Sequence, residues 1–117
     1  MLYVVAWFRA FLLTVGVEVL VAGWLLRGEA GGRGRRLVLL ALAQVMSHPA
    51  VWFIFPELRL GGEATLVLSE SWAVLSEALL YGLVFPGLGA RRAFGVAALA
   101  NGASYGLGLL VGSRLFA

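Results

Sequence analysis

Apolar residues fall into four long stretches, Leu2–Leu26, Leu37–Phe55, Ala64–Phe85 and Ala93–Phe116, separated by short polar breaks. A hydrocarbon core of about 30 Å takes about 20 helical residues at about 1.5 Å each, and each stretch is close to that length. The breaks carry stop signals. Arg27-Gly-Glu-Ala-Gly-Gly-Arg-Gly-Arg-Arg36 is rich in glycine, and the segments Pro56–Glu63 and Pro86–Arg92 each open on proline. Connections this short make successive helices antiparallel. The pattern predicts an all-α integral membrane protein, a single four-helix transmembrane domain over residues 1–117 in an up-down-up-down bundle with short loops.

Composition supports this. Of 117 residues 62% are hydrophobic and 13% charged, with a mean hydropathy of +0.96, far more apolar than a soluble domain of this size needs. The chain has nine basic residues, all Arg, and six acidic residues, all Glu, giving a net charge of +3. So few charges cannot form a nucleic-acid surface, and the basic excess reports orientation instead. The absence of cysteine excludes disulfides, thiol catalysis, haem thioether attachment and Cys-ligated zinc.

Arg27, Arg33, Arg35 and Arg36 in the first loop, with Arg91 and Arg92 in the third, lie on one side; Arg9, Arg59 and Arg114 lie on the other. The positive-inside rule then places loops one and three in the cytoplasm and both termini outside, in a bacterial-type inner membrane. Met1-Leu-Tyr lacks a basic leader region, so the first stretch reads as a retained span rather than a signal peptide. Trp7, Trp24 and Trp52 fall near interfaces, where tryptophan anchors helices, and Arg9 snorkels to headgroups.

Polar residues inside the spans are the candidate chemistry, because a charged residue at the helix centre costs about 2.5–3.5 kcal/mol on insertion scales. The first span carries Glu18, the second Gln44, Ser47 and His48, the third Glu70, Ser76, Glu77 and Tyr81, and the fourth Asn101, Ser104 and Tyr105. Counted at about 1.5 Å per residue from the arginine side, Glu18, Glu77 and Asn101 lie ~12 Å deep, Gln44 ~10 Å, and His48 and Ser104 ~16 Å. Gln44 with His48, Glu77 with Tyr81, and Asn101 with Ser104 and Tyr105 recur at three- or four-residue spacing, one helix face each. Glu70, seven residues before Glu77, extends that face by ~10 Å.

Interhelical hydrogen bonding suffices to explain Gln44, Asn101 and Ser104. Three ionisable groups at one depth suggest a site in which Glu18, His48 and Glu77 exchange protons or hold a cation, with Gln44, Asn101, Ser104 and Tyr81 as neutral partners and Glu70 further out. Carboxylates this close in low dielectric cannot easily all ionise, and histidine titrates near neutrality. Pro49 withdraws the N–H that would bond the Val45 carbonyl, a tolerated kink or a freed acceptor.

Glu18, His48 and Glu77 are also candidate ligands for a metal, yet the Glu-x-x-His pairs of helix-bundle carboxylate sites are missing. No resident cofactor is expected, although a transient divalent cation fits the ligand types. No nucleophile elbow accompanies the serines, and the first loop lacks the strand and lysine of a phosphate-binding loop. Small residues form two ridges on the fourth span, Ala98-Gly102-Gly106 and Gly108-Gly112, one for the bundle and one free for a second copy. Four helices enclose little volume, so a homo-oligomer is expected, most simply a dimer.

In size, helix count and the segment Thr14-Val-Gly-Val-Glu18-Val-Leu, the chain resembles the small multidrug resistance transporters. The resemblance implies a dimer in which Glu18 binds protons and cationic substrates in turn. His48-Pro49 and the Glu70–Glu77 stripe are not part of that family's pattern. The functional expectation is a proton- or cation-coupled transporter or channel. The alternatives are a non-catalytic subunit or assembly partner of a larger membrane complex and, third, a membrane-embedded metal-dependent enzyme.

Overall fold

A computed structural model describes residues 2–29 and 31–116, with side chains through residue 110. The expected roles of Gly112 and Arg114 fall on side chains outside the described residues. All regular structure among the described residues is helical: α1 Leu2–Leu25, α2 Arg33–Pro49, α3 Gly62–Val84 and α4 Ala90–Phe116. Pro49 cannot donate to the preceding turn, and beyond it α2 widens into a π-helical turn, Ala50–Ile54, then tightens into a 3-10 turn, Phe55–Leu58. With that extension the protein has four helices long and apolar enough to cross a membrane. Reversal into α3 uses Arg59 in the left-handed region (φ 54°) and Gly61 at φ 91°, the latter a backbone setting that a side chain would strain.

The helices pack as a ring, α1 on α2, α2 on α3, α3 on α4, with α4 closing back on α1. The bundle measures 40 × 26 × 23 Å. Its polarity is inverted relative to a water-soluble bundle. Leu12, Leu20, Trp24, Leu42, Leu79, Leu83, Leu109 and Leu110 point outward, whereas Glu18, Gln44, Ser47, Ser69, Glu77, Asn101 and Ser104 are buried among alanines. A large outward apolar surface is ruinous in water and neutral in lipid.

The two ends differ. Towards the arginine-rich loops the core is a plug of Ala22, Leu26, Leu40, Tyr81, Phe85, Leu88 and Ala97. Arginines there close open helix ends. Arg92 donates to the Leu25 carbonyl (2.9 Å) and pairs with Glu29 (2.9 Å), Arg27 donates to the Trp24 carbonyl (2.7 Å) and lies over its ring, and Arg35 reaches the Val84 carbonyl (3.0 Å). The final carbonyls of α1 and α3 thus find donors outside their own helices. At the other end Tyr3 donates to the Trp52 carbonyl at 2.6 Å, amid an aromatic group with Trp7, Phe11 and Phe53.

Candidate functional site

Glu77 projects from α3 into the middle of the ring, with none of its surface exposed. Among the described residues four neutral groups donate to it. Gln44 Nε2 (2.8 Å) and Tyr81 OH (3.4 Å) meet Oε1, and Asn101 Nδ2 (3.1 Å) and Ser47 Oγ (3.4 Å) meet Oε2. Three helices supply them: Gln44 and Ser47 lie one turn apart on α2, Tyr81 one turn beyond Glu77 on α3, and Asn101 on α4. Asn101 Nδ2 also donates to the Ala97 carbonyl at 2.8 Å, which holds the amide with its nitrogen inward. This arrangement suits a carboxylate, which only accepts hydrogen bonds.

Glu18 faces the same interior from α1, 1% exposed, and among the described residues neither of its oxygens has a hydrogen-bond partner. It lies within electrostatic reach of Glu77 and Glu70 and beside the Gln44 amide, whose nitrogen closes on Glu77. A buried polar atom without a partner costs about 1–3 kcal/mol, and a bare buried ion several kcal/mol more. Glu18 therefore calls for a proton, a cation or a water beside it. The two glutamates face one interior with opposite surroundings.

A cavity of about 270 Å³ adjoins this pair on the side away from the arginines. Its wall includes Thr14 of α1, His48 and Trp52 at the π turn, Ser69 and Glu70 of α3, and Asn101, Ser104 and Tyr105 of α4. On α1 and α3 the carboxyls lie one turn beyond the lining residues, towards the plug. Of the donors to Glu77 among the described residues, Asn101 alone also lines the cavity. No protein-family model, curated protein or solved structure matches this chain. The likeness of the Glu18 segment to the small multidrug resistance transporters thus rests on that segment and the architecture.

The residues expected to share one site fall into two groups. Gln44, Tyr81 and Asn101 meet Glu77, with Glu18 beside it, whereas Glu70, Ser104 and His48 line the cavity. His48 makes no hydrogen bond to the carboxyl pair among the described residues. Its Nδ1 accepts the Trp7 indole N–H at 3.2 Å, and its ring packs against Phe11 at 5.3 Å. An accepting Nδ1 fixes the neutral imidazole with its proton on Nε2. Ser104 donates to the Asn101 carbonyl at 3.1 Å. Among the described residues no three His, Asp or Glu side chains gather as a metal-binding group, so Glu18, His48 and Glu77 form no three-ligand set.

Three contributors lie outside the expected set. Ser47 bonds Glu77, Ser69 lines the cavity, and Trp72 of α3 donates to the Ser47 carbonyl at 3.0 Å, bracing the turn ahead of Pro49. Ser47 was legible as a polar residue three positions from Gln44; a tryptophan's bonding partner has no signal in sequence. On α4 the buried face is Ala93, Val96, Ala97, Ala100, Asn101 and Ser104, rather than the ridge Ala98-Gly102-Gly106. A Cβ at Gly102 or Gly106 would meet nothing within 4 Å.

Proposed function

We propose that this chain is an integral protein of a bacterial-type inner membrane, an up-down-up-down bundle with loops one and three cytoplasmic, working as a homo-oligomeric proton- or cation-coupled transporter or channel. The observation that carries the reading is the Glu18–Glu77 pair, buried one turn beyond a cavity whose wall includes Glu70, His48, Asn101 and Ser104, with one carboxyl bonded, among the described residues, by four neutral donors and the other by none. Ionisable groups inside membrane bundles mark ion pathways, and an unpartnered carboxyl contributes nothing to holding helices together. Glu18 and Glu77 are the exchanging groups. Glu70, His48 and Ser104 line the approach, and Gln44, Tyr81 and Asn101 hold Glu77.

The test is proton and cation flux in proteoliposomes of the purified protein, wild type against Glu77→Gln. Flux in the wild type that falls to background in a variant still assembled supports the assignment. Absence of flux for every cation from folded wild-type protein overturns it in favour of a non-catalytic subunit, and an affinity search for a larger complex follows.

A further inference from the structure

On the transport reading just given, the polarity of the groups around the carboxyls distinguishes between ions. A hard metal cation is held by several oxygen lone pairs aimed at it from carboxylates, carbonyls or waters. The side chains around Glu77 do the reverse. Gln44 Nε2, Ser47 Oγ, Tyr81 OH and Asn101 Nδ2 all direct hydrogens at its two oxygens, so the space a cation would occupy is already taken by the positive ends of four bonds. Asn101 cannot turn its oxygen inward without losing the 2.8 Å bond from Nδ2 to the Ala97 carbonyl.

Glu18 supplies an independent observation. It is 1% exposed, and among the described residues neither of its oxygens receives a hydrogen bond. The titratable groups facing the pair are Glu18 itself from α1 and Glu70 and Tyr81 from α3. From α2 come Gln44 and Ser47, and from α4 Asn101, all neutral; His48 is engaged with Trp7.

We propose that the Glu18–Glu77 pair is a proton site that excludes metal cations, with a single proton resting on Glu18, and that Asn101 is the residue that sets this selectivity. Exchange moves that proton between a Glu18 carboxyl oxygen and a water that advances one turn from the cavity, past Thr14, with no other bond made or broken. The apolar plug of Leu26, Leu40, Phe85 and Leu88 closes the arginine side, so this conformation exchanges protons with the cavity side.

Two measurements on the purified full chain test this. Acid-driven dye quenching in proteoliposomes is compared in sodium, potassium and N-methylglucamine salts; infrared difference spectra of the same preparations read the C=O stretch of protonated carboxyls at neutral pH. The expected rates agree within about twofold across the salts and fall about tenfold or more in Glu77→Gln. The expected protonated-carboxyl band is retained in Glu77→Gln and lost in Glu18→Gln; should that variant not fold, Glu18→Asp shifts the band instead. Flux that requires sodium or potassium overturns the proton assignment and leaves the transport reading standing. Failure of any ion to move overturns the transport reading, while absence of a Glu18-dependent band overturns the proton site in either case. Asn101→Asp, which replaces a donor by an acceptor, is expected to make flux sensitive to added sodium or magnesium; insensitivity in a folded, active variant overturns the role given to Asn101.

Discussion

Two glutamates buried in one interior illustrate how little a residue type says about its role. Among the described residues Glu77 receives four hydrogen bonds and Glu18 none, because α2 and α4 turn Gln44, Ser47 and Asn101 towards α3. Removing one donor tests this directly. Gln44→Leu is expected to cost about 1.5–3 kcal/mol, the range for a hydrogen bond to a charged group, read as a lowered unfolding midpoint in mild detergent. Trp7→Phe deletes the bond to His48, a neutral pair, and trims a ring packed on Phe11 and Phe53, so the expected loss is about 1 kcal/mol for the bond plus the packing lost, with flux retained. A larger effect of Trp7→Phe on flux than on stability would bring His48 into the transport step. The order of these side chains along each helix was legible from sequence, since rise per residue is fixed. Their azimuth was not. His48 lies four residues from Gln44 and Ser47 three, both spacings return to nearly the same face, and packing sent Ser47 inward and His48 to the aromatic group.

At the scale of the helix, the apolar stretches located the four helices and opened three of them late. The second stretch opens at Leu37 but α2 begins at Arg33, and the fourth opens at Ala93 but α4 begins at Ala90. Hydrophobicity marks where lipid would begin, whereas a helix continues for as long as its backbone bonds are met, and arginine is a good helix former. Pro49 was visible as a kink, yet the π turn after it depends on how α2 seats against Trp72 and α3, which no local pattern encodes. The rotation of α4 was likewise hidden, because alanine and glycine ridges look alike until one is buried. Ala97, Ala100 and Asn101 face the bundle and leave Gly102 and Gly106 with open space around them. That opening makes the proposed oligomer testable. The Cβ of Gly102→Leu meets nothing within 4 Å of its own bundle and the position is exposed, so secondary structure and thermal midpoint are expected to hold while self-association weakens about tenfold, roughly 1.4 kcal/mol. Single-molecule photobleaching in liposomes across a dilution series reads that change; unaltered association would place the contact on another face.

For the molecule as a whole, the arginines stand where helix stability alone would not put them. Arg33, Arg35 and Arg36 crowd the first turn of α2, and Arg91 and Arg92 that of α4, against a helix dipole that disfavours each by about 0.3–1 kcal/mol. The proposed orienting role would account for that cost, and the cysteine-free chain allows a clean test. A single thiol at Leu60→Cys is expected to react with an impermeant maleimide on intact cells, and one at Gly32→Cys only after permeabilisation. Labelling of both without permeabilisation, or the reverse order, overturns the proposed sidedness. The same arginines tie early chain to late. Arg92 of α4 completes the Leu25 carbonyl and Glu29 beside α1, and Asn101 of α4 completes Glu77. In the proposed bilayer setting, a chain still lacking α4 would present an open seam, an uncapped α1 end and a Glu77 short of one donor. On that reading the half-made chain is the vulnerable species, and the arrival of the fourth helix is the step that secures it.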